Sequence, residues 1–162
     1  MHRDARAGKA IAWLNGTMGD FNHILVPTDF TETSEHALEW AIQMASRLGS
    51  AITVMHAYEL PIVGLPDATL VASAEIASRI ADASRLALDK TIERHRDCGV
   101  PIAAVLREGA PWEEINRVAD EIRADLVVLG THGRKGIVRA LLGSTAEKVV
   151  RSAHRAVATI HA

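Results

Sequence analysis

Four glycines fall within residues 130–143, GTHGRKGIVRALLG, with Arg134, Lys135 and Arg139 between them and Ser144 and Thr145 directly after. Glycine admits positive φ and lets a ligand approach with no Cβ in the way. Successive N–H groups in such a loop form an anion-binding concavity, and a helix starting at STAEKVV adds the partial positive charge of its N-terminus. The chemistry these types and spacings suit is the wrapping of phosphates. Charge supports it: residues 131–155 hold six basic side chains against the single acid Glu147, a net +5. That leaves −7 for the rest of a chain with 18 basic and 20 acidic residues. A local excess of this size favours an anionic ligand rather than nucleic acid spread over the whole surface. A plainer reading stays open, because Ser144 to Glu147 also reads as a capping box, in which Ser144 caps the helix without any ligand.

Other phosphate motifs fit less well. A Walker A loop needs Gly-Lys followed by Ser or Thr, and Gly136 is followed by Ile137. A dinucleotide fingerprint belongs after the first strand, where PTDFTETS has no glycine. That loop is rich in hydroxyls, as a flavin mononucleotide site would be, but lacks the glycine. A phosphorylated receiver domain wants an acidic cluster there, and only Asp29 and Glu32 are present. The eight histidines contain no close ligand pair, and Cys98 is alone, so neither a zinc pattern nor a disulfide is expected. For hydrolysis, Asp29 and His132 are the candidate groups; a lone histidine between a strand end and a glycine reads first as structural. No catalytic residue is assigned, and a binding module is favoured over an enzyme.

The elements that would position these residues alternate regularly. HILVP is a short buried strand, SEHALEWAIQMASRLG an amphipathic helix stopped at Gly49, and AITVMHAYE a second strand. LPIVGLPDAT reads as a loop on its prolines and glycine, before a long helix over about residues 70–97 with Ile76, Ile80, Ala83 and Ala87 at helical spacing. VPIAAVLRE is a third strand, and the next helix has Pro111 at its first position. ADLVVLG is a fourth strand, STAEKVVRSAH a helix and RAVATIHA a final strand. This order predicts an α/β fold, a parallel sheet covered by helices on both faces. Right-handed crossovers put the loops at the strands' carboxyl ends on one edge, where such sheets bind ligands. Both unusual loops leave from there.

At 162 residues, with 48% hydrophobic and 23% charged residues, the chain suits one globular domain. Residues 1–20 lack sustained periodicity and are read as an N-terminal extension, with the domain at 21–162. The start has only a brief apolar patch broken by Asn15 and Gly16, so neither a signal peptide nor a membrane span is expected, and the expected location is cytoplasmic.

Gly130-x2-Gly133-x9-Gly143-Ser144 resembles the nucleotide-binding signature of the ATP-binding universal stress proteins. ILVPTDFTETSEHAL, ITVMHAYE, EGAPWEEI and ADLVVLGTHGR are similar to further parts of that family, and the resemblance covers about residues 21–161. It implies a Rossmann-like, open five-stranded parallel sheet in the order 3-2-1-4-5. It implies ATP, with Mg²⁺ on its phosphates, as the ligand, and at most slow hydrolysis; AMP or cyclic AMP, or a nucleotide hydrolase or transferase, are the alternatives. Pro27, Thr28 and Asp29 should line the adenosine side, and the backbone of Ala57 should meet the adenine. Leu129, Gly130, His132, Gly133, Arg134, Gly143, Ser144 and Thr145 complete the implied site around ribose and phosphates. The resemblance also implies a homodimer through the last strand, Val157, Ala158, Thr159 and Ile160, which would cover an apolar edge.

Overall fold

The computed structural model describes residues 21–65, 68–71, 73–131 and 143–161. Strand β1 (His23–Pro27) carries Ile24, Leu25 and Val26, all fully buried. Three consecutive buried residues require cover on both faces, and the packing supplies it. Ile24 and Val26 join Ala37, Leu38 and Ala41 of helix α1 (Glu32–Leu48), while Leu25 joins a second core on the opposite face. Thr31 caps α1, accepting from the Ser34 N–H, and Gly49 ends it at φ 72°, where a side chain would be strained. Glu32 and Glu35 in its first turn and Arg47 in its last complement the helix dipole.

Strand β2 (Ala51–Tyr58) follows, then two short strands, β3 (Ile62–Leu65) and β4 (Ala68–Val71), paired antiparallel. The segment expected to be a loop thus contains a hairpin. Pro61 misled, because it precedes β3 and removes no ladder bond there. Helix α2 (Ala74–Arg94) is shorter than expected, since β4 takes residues 68–71 and Ser73 supplies the cap. Ile76 is 48% exposed, and α2 buries Leu88 and Thr91.

The remaining elements are β5 (Ile102–Glu108), α3 (Pro111–Glu121), β6 (Leu126–Gly130), α4 (Ser144–Ser152) and β7 (Ala156–Ile160). The five main strands form one parallel sheet ordered β5-β2-β1-β6-β7, which is 3-2-1-4-5 in main-strand order. Helices α1 and α2 cover one face, and α3 and α4 the other, where Ile115, Val118, Ala146 and Val149 meet Leu25, Met55 and Val127. At the amino ends of the strands, Asp125 Oδ2 accepts from the backbone N–H groups of Asn22 (2.9 Å) and His23 (3.0 Å), clasping β1 to the start of β6. Among the described residues, no helix is long and apolar enough to cross a membrane.

Candidate functional site

Strand order reverses between β1 and β6, so α1 leaves β1 toward one face and α4 follows β6 on the other. A gap opens above the carboxyl ends of these two strands. It holds a crevice of about 1030 Å³, lined by Pro27, Thr28, Asp29, Ala57, Leu129, Gly130, Gly143, Ser144 and Thr145 among others. These are all the expected site residues that fall within the described part of the chain. His132, Gly133 and Arg134 lie outside the described residues.

The β1 wall is held rigid by its own hydroxyls. The Thr28 hydroxyl meets the Phe30 N–H and the Ser34 hydroxyl, each at 3.0 Å, and Asp29 Oδ1 accepts from the Thr31 hydroxyl at 2.6 Å. Thr28 therefore spends its hydroxyl inside the loop. Phe30 sits at φ 65° with its ring 4.4 Å from that of His56, centroid to centroid. His56 Nδ1 lies 2.8 Å from the Thr28 carbonyl oxygen. A carbonyl can only accept, so Nδ1 carries the proton. The buried histidine thereby ties β2 to the loop after β1.

The base of the crevice presents backbone. Met55 accepts from the Thr28 N–H at 2.8 Å, and β1 runs beside β2 only as far as the Pro27–Met55 pair. Backbone groups alternate sides along a strand, so Ala57 turns its N–H and C=O the same way as Met55, beyond the end of β1 and into the gap. That edge suits a planar heterocycle needing one donor and one acceptor.

The opposite wall is the start of α4. Here the capping-box expectation is corrected: Gly143 is the N-cap, in extended conformation, its carbonyl accepting from the Glu147 N–H at 2.8 Å, and Ser144 is the first helical residue. Glu147 pairs forward with Arg151 at 3.0 Å instead of reaching back. The Gly143 N–H is donated to the Thr131 carbonyl, which holds the two ends of the glycine segment together. The next N–H groups, of Ser144, Thr145 and Ala146, precede the first possible intrahelical partners and find no other among the described residues. Three donors at a positive dipole end face the crevice.

Sequence reasoning missed Phe30, Ser34, His56 and Thr131 as lining residues, and also Ile80, Ala83 and Ala87 of α2 and Lys148 of α4. Ser34 ends the hydroxyl-rich stretch PTDFTETS and was within reach of a local reading. The α2 residues and Lys148 arrive through tertiary packing and leave no local signal. Of the described lining residues, Asp29, Glu59 and Glu147 are acidic and Lys148 alone is a lysine or arginine. Among the described residues no cluster of three or more His, Cys, Asp or Glu could hold a metal ion.

An open, doubly wound parallel sheet with its crevice at the switch in strand order defines a class of α/β protein that binds ligands at that point. Within that class, the chain belongs to the universal stress protein family, whose model matches residues 20–161. Universal stress protein MJ0531 of Methanocaldococcus jannaschii is 35% identical over 136 residues, covering 83% of this chain and 78% of that one. Among solved structures, UspA from Lactobacillus plantarum superposes with a TM-score of 0.75 at 25% identity, covering 88% of this chain and 99% of its own. The universal stress protein from Archaeoglobus fulgidus in complex with dAMP gives 0.62 at 23%, over 87% and 98% of the two chains.

Proposed function

We propose that the protein is an ATP-binding stress-response module, whose bound nucleotide biases loop order and partner contacts. The observation that carries this reading is the pairing of Ala57's backbone edge with the N–H groups of Ser144, Thr145 and Ala146, unpartnered among the described residues, across one cavity. A base at one end and phosphates at the other match those donors and acceptors. Pro27, Thr28, Asp29 and Leu129 would line the nucleoside between them, with Gly130, His132, Gly133 and Arg134 among the residues around ribose and phosphates. Mg²⁺ would ride on phosphate oxygens and water. The dAMP bound by the Archaeoglobus fulgidus relative favours, as a second reading, a monophosphate such as AMP or cyclic AMP. Binding rather than turnover is the role, with any hydrolysis slow.

The same reading covers assembly and place. Strand β7 is an edge of the sheet, and Val157, Ala158, Thr159 and Ile160 would pair with a second copy about a two-fold axis. Residues 1–20 stand outside the domain, and the protein acts in the cytoplasm.

The test is to denature purified protein, identify any released nucleotide, and titrate the emptied protein with Mg-ATP by calorimetry. Released ATP or one-site binding per chain is expected. Preference for AMP or cyclic AMP in competition would select the second reading. Ordinary enzymatic turnover that tracked Asp29 or His132 would replace the module with a hydrolase, and no binding at all would overturn the proposal.

A further inference from the structure

Lys148 occupies the second turn of α4, one turn beyond Ser144 on the same face. Helical side chains lean back toward the N-terminus, so its ammonium is carried toward the crevice that it lines. The ammonium sits 5.5 Å from the ring centroid of Trp112, in the first turn of α3. Two neighbouring cations are already engaged: Arg151 with Glu147 at 3.0 Å and Arg155 with Asp120 at 3.3 Å. Lys148 has no carboxylate partner among the described residues.

We infer that Lys148 is the residue that counts phosphates, setting a preference for nucleoside di- and triphosphates over monophosphates. The inference rests on the nucleotide reading of the crevice and deepens it. A monophosphate held by the N–H groups of Ser144 to Ala146 is satisfied without the lysine. Further phosphates extending from it come within reach of the ammonium. A cation–π contact at a half-exposed ring is a weak hold, whereas a hydrogen bond between two charged groups is the stronger interaction. A second or third phosphate therefore takes the ammonium from the indole of Trp112, where it rests until then.

The test measures ATP and AMP affinities by calorimetry, at one Mg²⁺ concentration, for the wild type, Lys148→Met and Lys148→Arg. Lys148 is exposed, so both variants should fold, which unchanged melting temperatures without ligand would verify. The ATP-to-AMP affinity ratio should fall about five- to tenfold in Lys148→Met, the size of one charge-assisted contact at a partly exposed site, and return toward wild type in Lys148→Arg. An unchanged ratio, or equal losses for both nucleotides, would overturn the role of Lys148 while leaving the crevice assignment standing. If wild-type protein bound neither nucleotide, the nucleotide reading would fall and the phosphate count with it.

Discussion

A methyl group at position 130 would lie 2.8 Å from Thr33 Cγ2 and 2.9 Å from the Thr33 carbonyl oxygen. The first turn of α1 thus occupies the space that any side chain there would need. In the sequence, Gly130 stands out as the first glycine of a phosphate loop, yet its lack of a side chain is explained by packing alone. Gly130→Ala should destabilise the fold by roughly 1–3 kcal/mol, as overpacking of a filled site does, read as a lowered urea midpoint at constant slope. A midpoint equal to wild type would mean that α1 can withdraw, and that Gly130 is kept for a ligand after all. Thr33 lies in a distant part of the sequence, so no local pattern could have shown the contact. Lys148 was hidden for the same reason. It reads as one more charge on a basic helix face until α3 brings Trp112 beneath it.

At the scale of elements, the strands were legible because runs such as ILV and VVL are buried on both faces, a condition that leaves almost no polar residue in the run. Helix α1 was legible through its apolar spacing and Gly49. What misled were the ends: the hairpin behind Pro61, the late start of α2, and Gly143 taking the cap from Ser144. Each depends on backbone conformation at one residue, which composition does not fix. The packing of α2 on α1 is steadied by Glu35, whose carboxylate meets Arg94 at 2.7 Å and His95 at 2.8 Å. Burial raises the Glu35 carboxyl, but the hydrogen bonds and charges of Arg94 and His95 outweigh it and hold it below the ordinary carboxylate range. Its contribution is therefore fully present above the unfolded pKa and is lost as pH falls through the lower folded value. Glu35→Gln should cost on the order of 1 kcal/mol near neutrality, as partly exposed pairs do. The gap from wild type should narrow as pH falls below about 4.3, the ordinary glutamate value. Urea titrations across that range check it; a gap constant in pH would show that the pair's charge does not matter.

For the whole molecule, assembly and fold meet at β7. The Ile160 carbonyl accepts from the Thr131 N–H at 3.0 Å, on the side of β6. Alternation then turns the backbone groups of Val157 and Thr159 outward, along the free edge. Thr159→Pro removes an outward N–H without touching the β6 ladder. In the proposed homodimer it should shift the mass measured by light scattering from two chains to one while the circular dichroism stays native. A mass unchanged from wild type would place the contact elsewhere, or show that there is none. A related asymmetry runs through the centre of the sheet. The crevice exists only where β1 meets β6, partners 102 residues apart at the Asp125 clasp. Every other junction of the sheet joins segments nearer in the chain, so this is the closure with the largest loop entropy to overcome. During synthesis the first half of the site is therefore made long before the second. A chain halted anywhere before α4 carries no binding crevice, and in a refolding experiment ligand capture would be the last property to return.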